Sequence, residues 1–389
     1  MKIEQKIWTE AGGWMPASPP ALAASAQLVL VFGATAVLRN AQLVEPIRKF
    51  YPVAHILGCS TAGEICGAQV SDDSLVATAI HFEHTQMRTA EVSLGEYPDS
   101  LHAGELLAQM LPQAVRAENM AEEQKLAHVL VLSDGLGVNG SDLVRGMLES
   151  LPKGVAVTGG LAGDGALFSE TLVFRNNVPE KGAIAAIGLY GSRVKIGFGS
   201  LGGWDPFGPE RLVTRSTGNI LFELDGRPAL ALYKQYLGDH AKGLPSTGLL
   251  FPLSMRTVPG AAPLVRTILA VDEEQQSLTF AGDIPEGAYV RLSKANFERL
   301  VDGAVGAAEA SRGAADSLAP ELAILISCVG RKLVLKQRIE EEVEGVHGIL
   351  GEQTVLTGFY SYGEIAPFAP GERSELHNQT MTITTIAEA

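Results

Sequence analysis

Three short turns hold the residues best suited to chemistry: Gly58-Cys59-Ser60-Thr61-Ala62-Gly63-Glu64, Thr158-Gly159-Gly160-Leu161-Ala162-Gly163-Asp164 and Gly358-Phe359-Tyr360-Ser361-Tyr362-Gly363-Glu364. Each closes on a glycine followed by an acid. Glycine lets a ligand approach backbone N–H groups, and the acid accepts hydrogen bonds from an amine or from the turn itself. Gly63, Gly163 and Gly363, with Glu64, Asp164 and Glu364, are therefore expected to line a ligand pocket at strand ends. The competing expectation is a tight turn whose acid caps the next element. Tyr360 and Tyr362 offer flat faces and hydroxyls suited to a pocket wall, or equally to a core corner. His377 and Asn378 add polar side chains just before an alternating final strand.

Other patterns carry less. Gly197-Phe198-Gly199-Ser200-Leu201-Gly202 matches a dinucleotide fingerprint by letters, but Trp204-Asp205-Pro206 follows and cannot open a helix, so no pyrophosphate site is implied. Cys59 and Ser60 resemble a nucleophile elbow only superficially, because position 62 is alanine, and a hydrolase is the least favoured reading. His81 and His84, three apart in a strand-like run, face opposite ways and do not share a metal. Arg331, Lys332, Lys336 and Arg338 form a basic cluster, expected to be a solvated helix face rather than a carboxylate clamp.

Each turn is preceded by the same string of elements: an apolar strand, a loop, an amphipathic helix and a second apolar strand. The strands fall at 28–32 and 55–57, at 129–132 and 155–157, and at 322–326 and 355–357. The helices end near Phe50, cover 141–151 and cover 337–350. Continuous apolar strands are buried on both faces, which predicts an α/β to α+β fold: two modules on mixed sheets, with repeated βαβ units and helices on the faces. Alternating strands at 171–174, 182–190, 193–198, 211–217 and 220–224 predict an antiparallel sheet. Further strands at 264–270, 277–280 and 289–292 and helices at 228–237 and 296–309 follow. The Pro and Gly cluster at 202–209 is the candidate domain border.

The composition bounds the function. With 389 residues and 46% apolar content, the chain can bury a large core without staples. The net charge of -14 argues against nucleic acid and anionic membrane surfaces as partners. Three cysteines without C-x-x-C spacing suit a reducing, cytoplasmic setting. Residues 1–20 lack the basic start and apolar run of a secretory leader, and no apolar run reaches the roughly 20 residues a spanning helix needs.

At residues 58–64, at Leu249-Leu250-Phe251-Pro252-Leu253, at Phe280-Ala281-Gly282-Asp283-Ile284-Pro285, at residues 358–367 and at Leu376-His377-Asn378-Gln379-Thr380 the sequence resembles the FIST family. The resemblance implies an extension (1–26), a FIST N module (27–218) and a FIST C module (219–389). It implies a cytosolic sensory protein, not an enzyme, that binds a small ligand and works with a separate signalling enzyme. The two-module layout resembles the branch of haem-based nitric-oxide sensors that regulate a partner histidine kinase. Haem iron needs an axial donor, most often histidine, and His240 and His347 are the candidates, while His377 is expected to support the shared pocket. An amino acid or related metabolite, without haem, is the alternative ligand.

Overall fold

The computed structural model describes residues 1–97, 99–116, 123–176, 178–257, 263–314, 319–368 and 371–389. The three repeats form three parallel strand pairs: Leu28–Gly33 with His55–Ser60, Gln124–Ser133 with Ala156–Leu161, and Leu322–Cys328 with Val355–Ser361. Each pair sits at the centre of its own mixed sheet, flanked on one side by an antiparallel return strand: Leu75–His81, Ala183–Tyr190 or Met381–Glu388. The strand that follows each acidic turn leaves its own sheet. Glu64–Cys66 pairs with Val355–Ser361 of the third copy, Val173–Arg175 with His55–Ser60 of the first, and Gly363–Pro367 with Ala156–Leu161 of the second. The three sheets are thus stitched by a cyclic exchange of strands.

The inner faces of the three sheets share one apolar core, with Leu30, Phe32, Leu130, Leu132, Ile324 and Ile326 at its centre. Helices cover the outer faces: Ala41–Phe50 on the first sheet, Ser100–Gln109 and Gly140–Ser150 on the second, Phe297–Ala314 and Ile339–Leu350 on the third. Asn139 caps the Gly140–Ser150 helix by accepting from the Ser141 and Asp142 N–H groups. A glycine stands at one register position in every strand pair: Gly58 opposite Val31, Gly159 opposite Val131, Gly358 opposite Leu325. A Cβ at any of the three would overlap the facing carbonyl, so the close approach of the paired strands excludes every other residue.

The expected antiparallel sheet exists as a fourth sheet, built from chain that runs in sequence between the edge strand Val194–Leu201 and the Phe297–Ala314 helix. It runs Leu264–Arg266, Leu253–Arg256, Tyr289–Ala295, Trp204–Thr217, Ile220–Leu224, Ser277–Phe280, Ile268–Asp272, with its own core of Leu221, Leu230, Tyr233, Phe280 and Val290. The Pro and Gly cluster at 202–209 is not a free linker. It is the start of the long Trp204–Thr217 strand, in which Pro206 sits opposite Ser293 and a register shift between Phe207 and Arg211 absorbs Gly208 and Pro209. Strands 171–174, 182–190 and 193–198 belong instead to the first, second and third sheets. Gly197 and Gly199 serve packing: a Cβ on either would overlap the Ser311 or Ala307 carbonyl of the covering helix. Among the described residues no helix is long and apolar enough to cross a membrane.

Candidate functional site

The three turns meet. The Ala62 N–H donates to the Tyr360 carbonyl and the Tyr360 N–H to the Gly63 carbonyl, each at 2.8 Å; Gly163 N–H donates to Ser60 (3.0 Å) and Tyr362 N–H to Leu161 (3.2 Å). Gly63, Glu64, Gly163, Asp164, Tyr360, Tyr362, Gly363 and Glu364 are all buried in this hub. The acids bind the chain itself. Glu64 accepts from the Ser74 hydroxyl (2.6 Å), the Ser74 N–H (3.2 Å) and the Thr61 hydroxyl. Glu364 accepts from the Ser361 hydroxyl (2.7 Å), the Thr380 hydroxyl (2.9 Å) and the Thr380 N–H (3.1 Å). Ser74 and Thr380 directly precede the two return strands, so each acid latches its turn to the chain's re-entry into its own sheet. Asp164 gathers the N–H groups of Phe168, Ser169 and Glu170 at 2.8 Å and the Tyr362 hydroxyl.

Burial pushes Glu364 up to about 8 and Glu64 up to about 7, against their hydrogen-bond donors. Asp164 goes the other way: burial raises it, but the bonds from Tyr362, Glu170 and Ser169 together hold it below the usual range. Phe168 stacks on Tyr362 at 4.6 Å. The Tyr360 hydroxyl donates to Glu342 at 2.7 Å, inside a fully buried pair of Glu342 with Arg331.

The basic cluster is therefore not one solvated face. Arg331 is buried because its guanidinium joins Glu342 and the carbonyls of Gly202 and Leu300. Lys332 pairs with Asp72 and donates to the Ala62 carbonyl at 2.8 Å, filling the space over Gly63. Arg338 pairs with Glu298 and Glu341. Cys59 is fully buried, which drives its thiol well above the ordinary value, and the Ser60 hydroxyl accepts from the Leu172 N–H.

Residues 376–380 tie the hub to the fourth sheet. His377 donates through Nε2 to the Ala366 carbonyl at 2.8 Å, and burial lowers it to about 4, leaving it neutral. Asn378 donates to the Tyr362 carbonyl and accepts from the Thr267 N–H, both at 3.4 Å. Gln379 donates to the Leu249 carbonyl at 3.0 Å.

Beside this stretch opens a cleft of about 300 Å³ between the Gly140–Ser150 helix, Arg266 and residues 373–376. Its wall holds Arg145, Arg266 and Arg373 together with Glu149 and Glu375. Arg266 is 4% exposed, yet among the described residues its hydrogen bonds go only to carbonyls: Asp283 (3.1 Å), Val265 (3.4 Å) and Leu376 (3.0 Å). Glu375 and Asp283 act on it through space, and burial lowers it to about 10. Gly282 makes the approach possible, since a Cβ there would stand 2.6 Å from the Ser141 hydroxyl and 3.4 Å from the Arg266 guanidinium carbon. Arg145 is already paired with Asp142, whereas Arg373 is exposed and has no acidic partner among the described residues. Sequence reading missed this cleft; the Phe280-Ala281-Gly282-Asp283 motif, which docks onto the helix start through Asp283 and Asn139 (2.7 Å), was the signal.

The chain matches the FIST N domain over residues 27–227 and the FIST C domain over residues 229–367. It belongs to the FIST family. FIST domains are sensory modules of signal transduction. The FIST N match spans the first two copies and enters the fourth sheet; the FIST C match spans the rest of that sheet and most of the third copy. An uncharacterized protein of Methanocaldococcus jannaschii is 22% identical over 78% of this chain and 60% of its own length. Uncharacterized proteins of Mycobacterium bovis and Mycobacterium tuberculosis are 26% identical over 67% of this chain and 67% of theirs. The chain thus spans about three fifths to two thirds of these FIST relatives.

The histidines proposed for haem lie apart from the hub's hydrogen bonds. His240 is exposed on the 3-10 segment Gly238–Gly243 with its ring against Phe251, and His347 is half-buried in the last turn of Ile339–Leu350. Neither lines the arginine cleft or the larger apolar cleft beside Phe251. Among the described residues, that larger cleft presents no imidazole, thiolate, thioether or phenol to an iron. The residues around these cavities do not fit haem.

Proposed function

We propose that this FIST protein is a cytoplasmic sensor that holds a carboxylate-bearing metabolite of the amino-acid class in the arginine cleft and reports it to a separate signalling enzyme. One observation carries the reading: the Arg266 guanidinium borders the cleft, taken out of water, with carbonyls as its only hydrogen-bond partners among the described residues. A buried cation in that state gains from an incoming anion, and guanidinium favours a planar carboxylate. Arg373 supplies a second cation at the rim, without an acidic partner among the described residues, and Glu149 and Glu375 suit an ammonium on the same ligand. The cleft volume lies at the small end of the range for ligand sites. Occupancy bears on Leu376, whose carbonyl Arg266 already holds, and so on Asn378 and Gln379, which grip the hub and Leu249. A histidine kinase is the partner that the family resemblance implies.

The test is thermal unfolding of the full chain against the twenty α-amino acids and their carboxamides. At least one acid is expected to raise the unfolding temperature saturably, its amide to have no effect, and Arg373→Ala, an exposed site, to weaken the response about tenfold. Amides that match their acids, or no response to any acid, overturn the reading. A haemin Soret shift lost in His240→Ala or His347→Ala would return the ligand to haem.

A further inference from the structure

A second cleft, of about 690 Å³, lies between the Val329–Leu335 helix, the Leu250–Phe251 loop and the start of the Phe297–Ala314 helix. Its walls are apolar: Phe251, Phe297, Leu333 and Leu335 line it. Phe297 is 45% exposed, with the Arg338 guanidinium 5.8 Å over its ring as its ring contact. The polar residues of its wall are Lys294, Lys336, Gln337 and Arg338, and no carboxylate lines it among the described residues. Arg338 is taken by Glu298 and Glu341, but Lys294 and Lys336 are exposed and have no acidic partner among the described residues. On a chain of net charge -14, an apolar trough edged by these two ammonium groups selects an occupant that is apolar along its length and anionic at one end.

We infer that this cleft binds a free medium-chain aliphatic carboxylate, with its chain along Phe251, Phe297 and Leu335 and its headgroup at Lys294 and Lys336. The site is separate from the arginine cleft, and the inference stands whether or not an amino acid binds there. Its floor is continuous with Trp204, which packs with Val334 and Leu335 and donates to the Gln379 carbonyl at 3.0 Å. A guest in the cleft is therefore reported by Trp204 emission and bears on the same residue, Gln379, that the arginine cleft reaches through Leu376.

The experiment is a fluorescence titration of the full chain carrying Trp8→Phe and Trp14→Phe, with octanoate, decanoate and dodecanoate below their micelle concentrations. Saturable shifts of Trp204 emission are expected, with affinity rising about two- to fourfold per added carbon. The Lys294→Glu/Lys336→Glu variant, altered only at exposed positions, should lose at least tenfold in affinity, and Phe297→Ser should flatten the chain-length dependence. Dodecyltrimethylammonium should bind the unaltered protein weakly and the double-Glu variant better. Equal binding of the cationic and anionic chains, or an unchanged affinity in the double-Glu variant, overturns the inference. Either result leaves the Arg373→Ala response untouched, which separates this site from the arginine cleft.

Discussion

Replacing Glu364 by glutamine tests the state of the hub. Its carboxyl, fully buried, is pushed from 4.5 up to about 8. A group raised in this way adds stability that is complete below the unfolded value and is lost as pH rises through the folded one. Between those values the folded chain holds the extra proton, so unfolding free energy falls by about 1.4 kcal/mol per pH unit. From pH 5 to pH 8 the loss sums to roughly 3 to 4 kcal/mol. With an unfolding entropy of about 2.1 cal/mol/K per residue, that corresponds to about 4 °C in the unfolding temperature of a chain this size. Glutamine keeps a donor and an acceptor at the site but has no proton to lose. The wild-type midpoint should fall by about 4 °C more than that of Glu364→Gln across this range, read by circular dichroism in matched buffers. Asp164 and Glu388, both lowered, contribute with the opposite sign, and only as pH falls through their low values. Parallel profiles for the two proteins would refute the reasoning and mean that the donors on Glu364 outweigh its burial.

Gly358→Ala should cost about 3 kcal/mol or more, because its Cβ meets the Leu325 carbonyl of a strand that cannot withdraw. Gly348→Ala, on the exposed face of Ile339–Leu350 with nothing near its Cβ, should instead stabilise by about 0.5 to 1 kcal/mol; thermal midpoints that move together would contradict both. Glu342→Ala strands the buried Arg331 and should cost about 3 to 5 kcal/mol, while Arg331→Met/Glu342→Leu should cost far less. Urea midpoints of the two variants check the difference.

The repeated strand, helix, strand and turn could be read from one dimension because each copy's burial pattern is local: two-sided apolar strands, an amphipathic helix and a cap at Asn139. The acids after Gly63, Gly163 and Gly363 were recognisable for the same reason. Their partners were not, since Glu64 reaches Ser74 across a strand exchanged into another sheet, and Glu364 reaches Thr380 across a similar excursion. The basic run from Arg331 to Arg338 looked like a surface because charge alone does not report Glu342, which lies one helix away.

Sequence alone determined the elements, the three copies and their equivalent corners, since these depend on neighbours a few positions apart. Which corners touch, which buried arginine is held by carbonyls and which lysines edge an apolar trough were decided only by tertiary structure. Arg266 is joined to Leu376, 110 positions away, and Lys332 to Ala62, 270 positions away. Electrostatics and burial act through distance in space, and the cyclic exchange of strands makes that distance unrelated to separation along the chain.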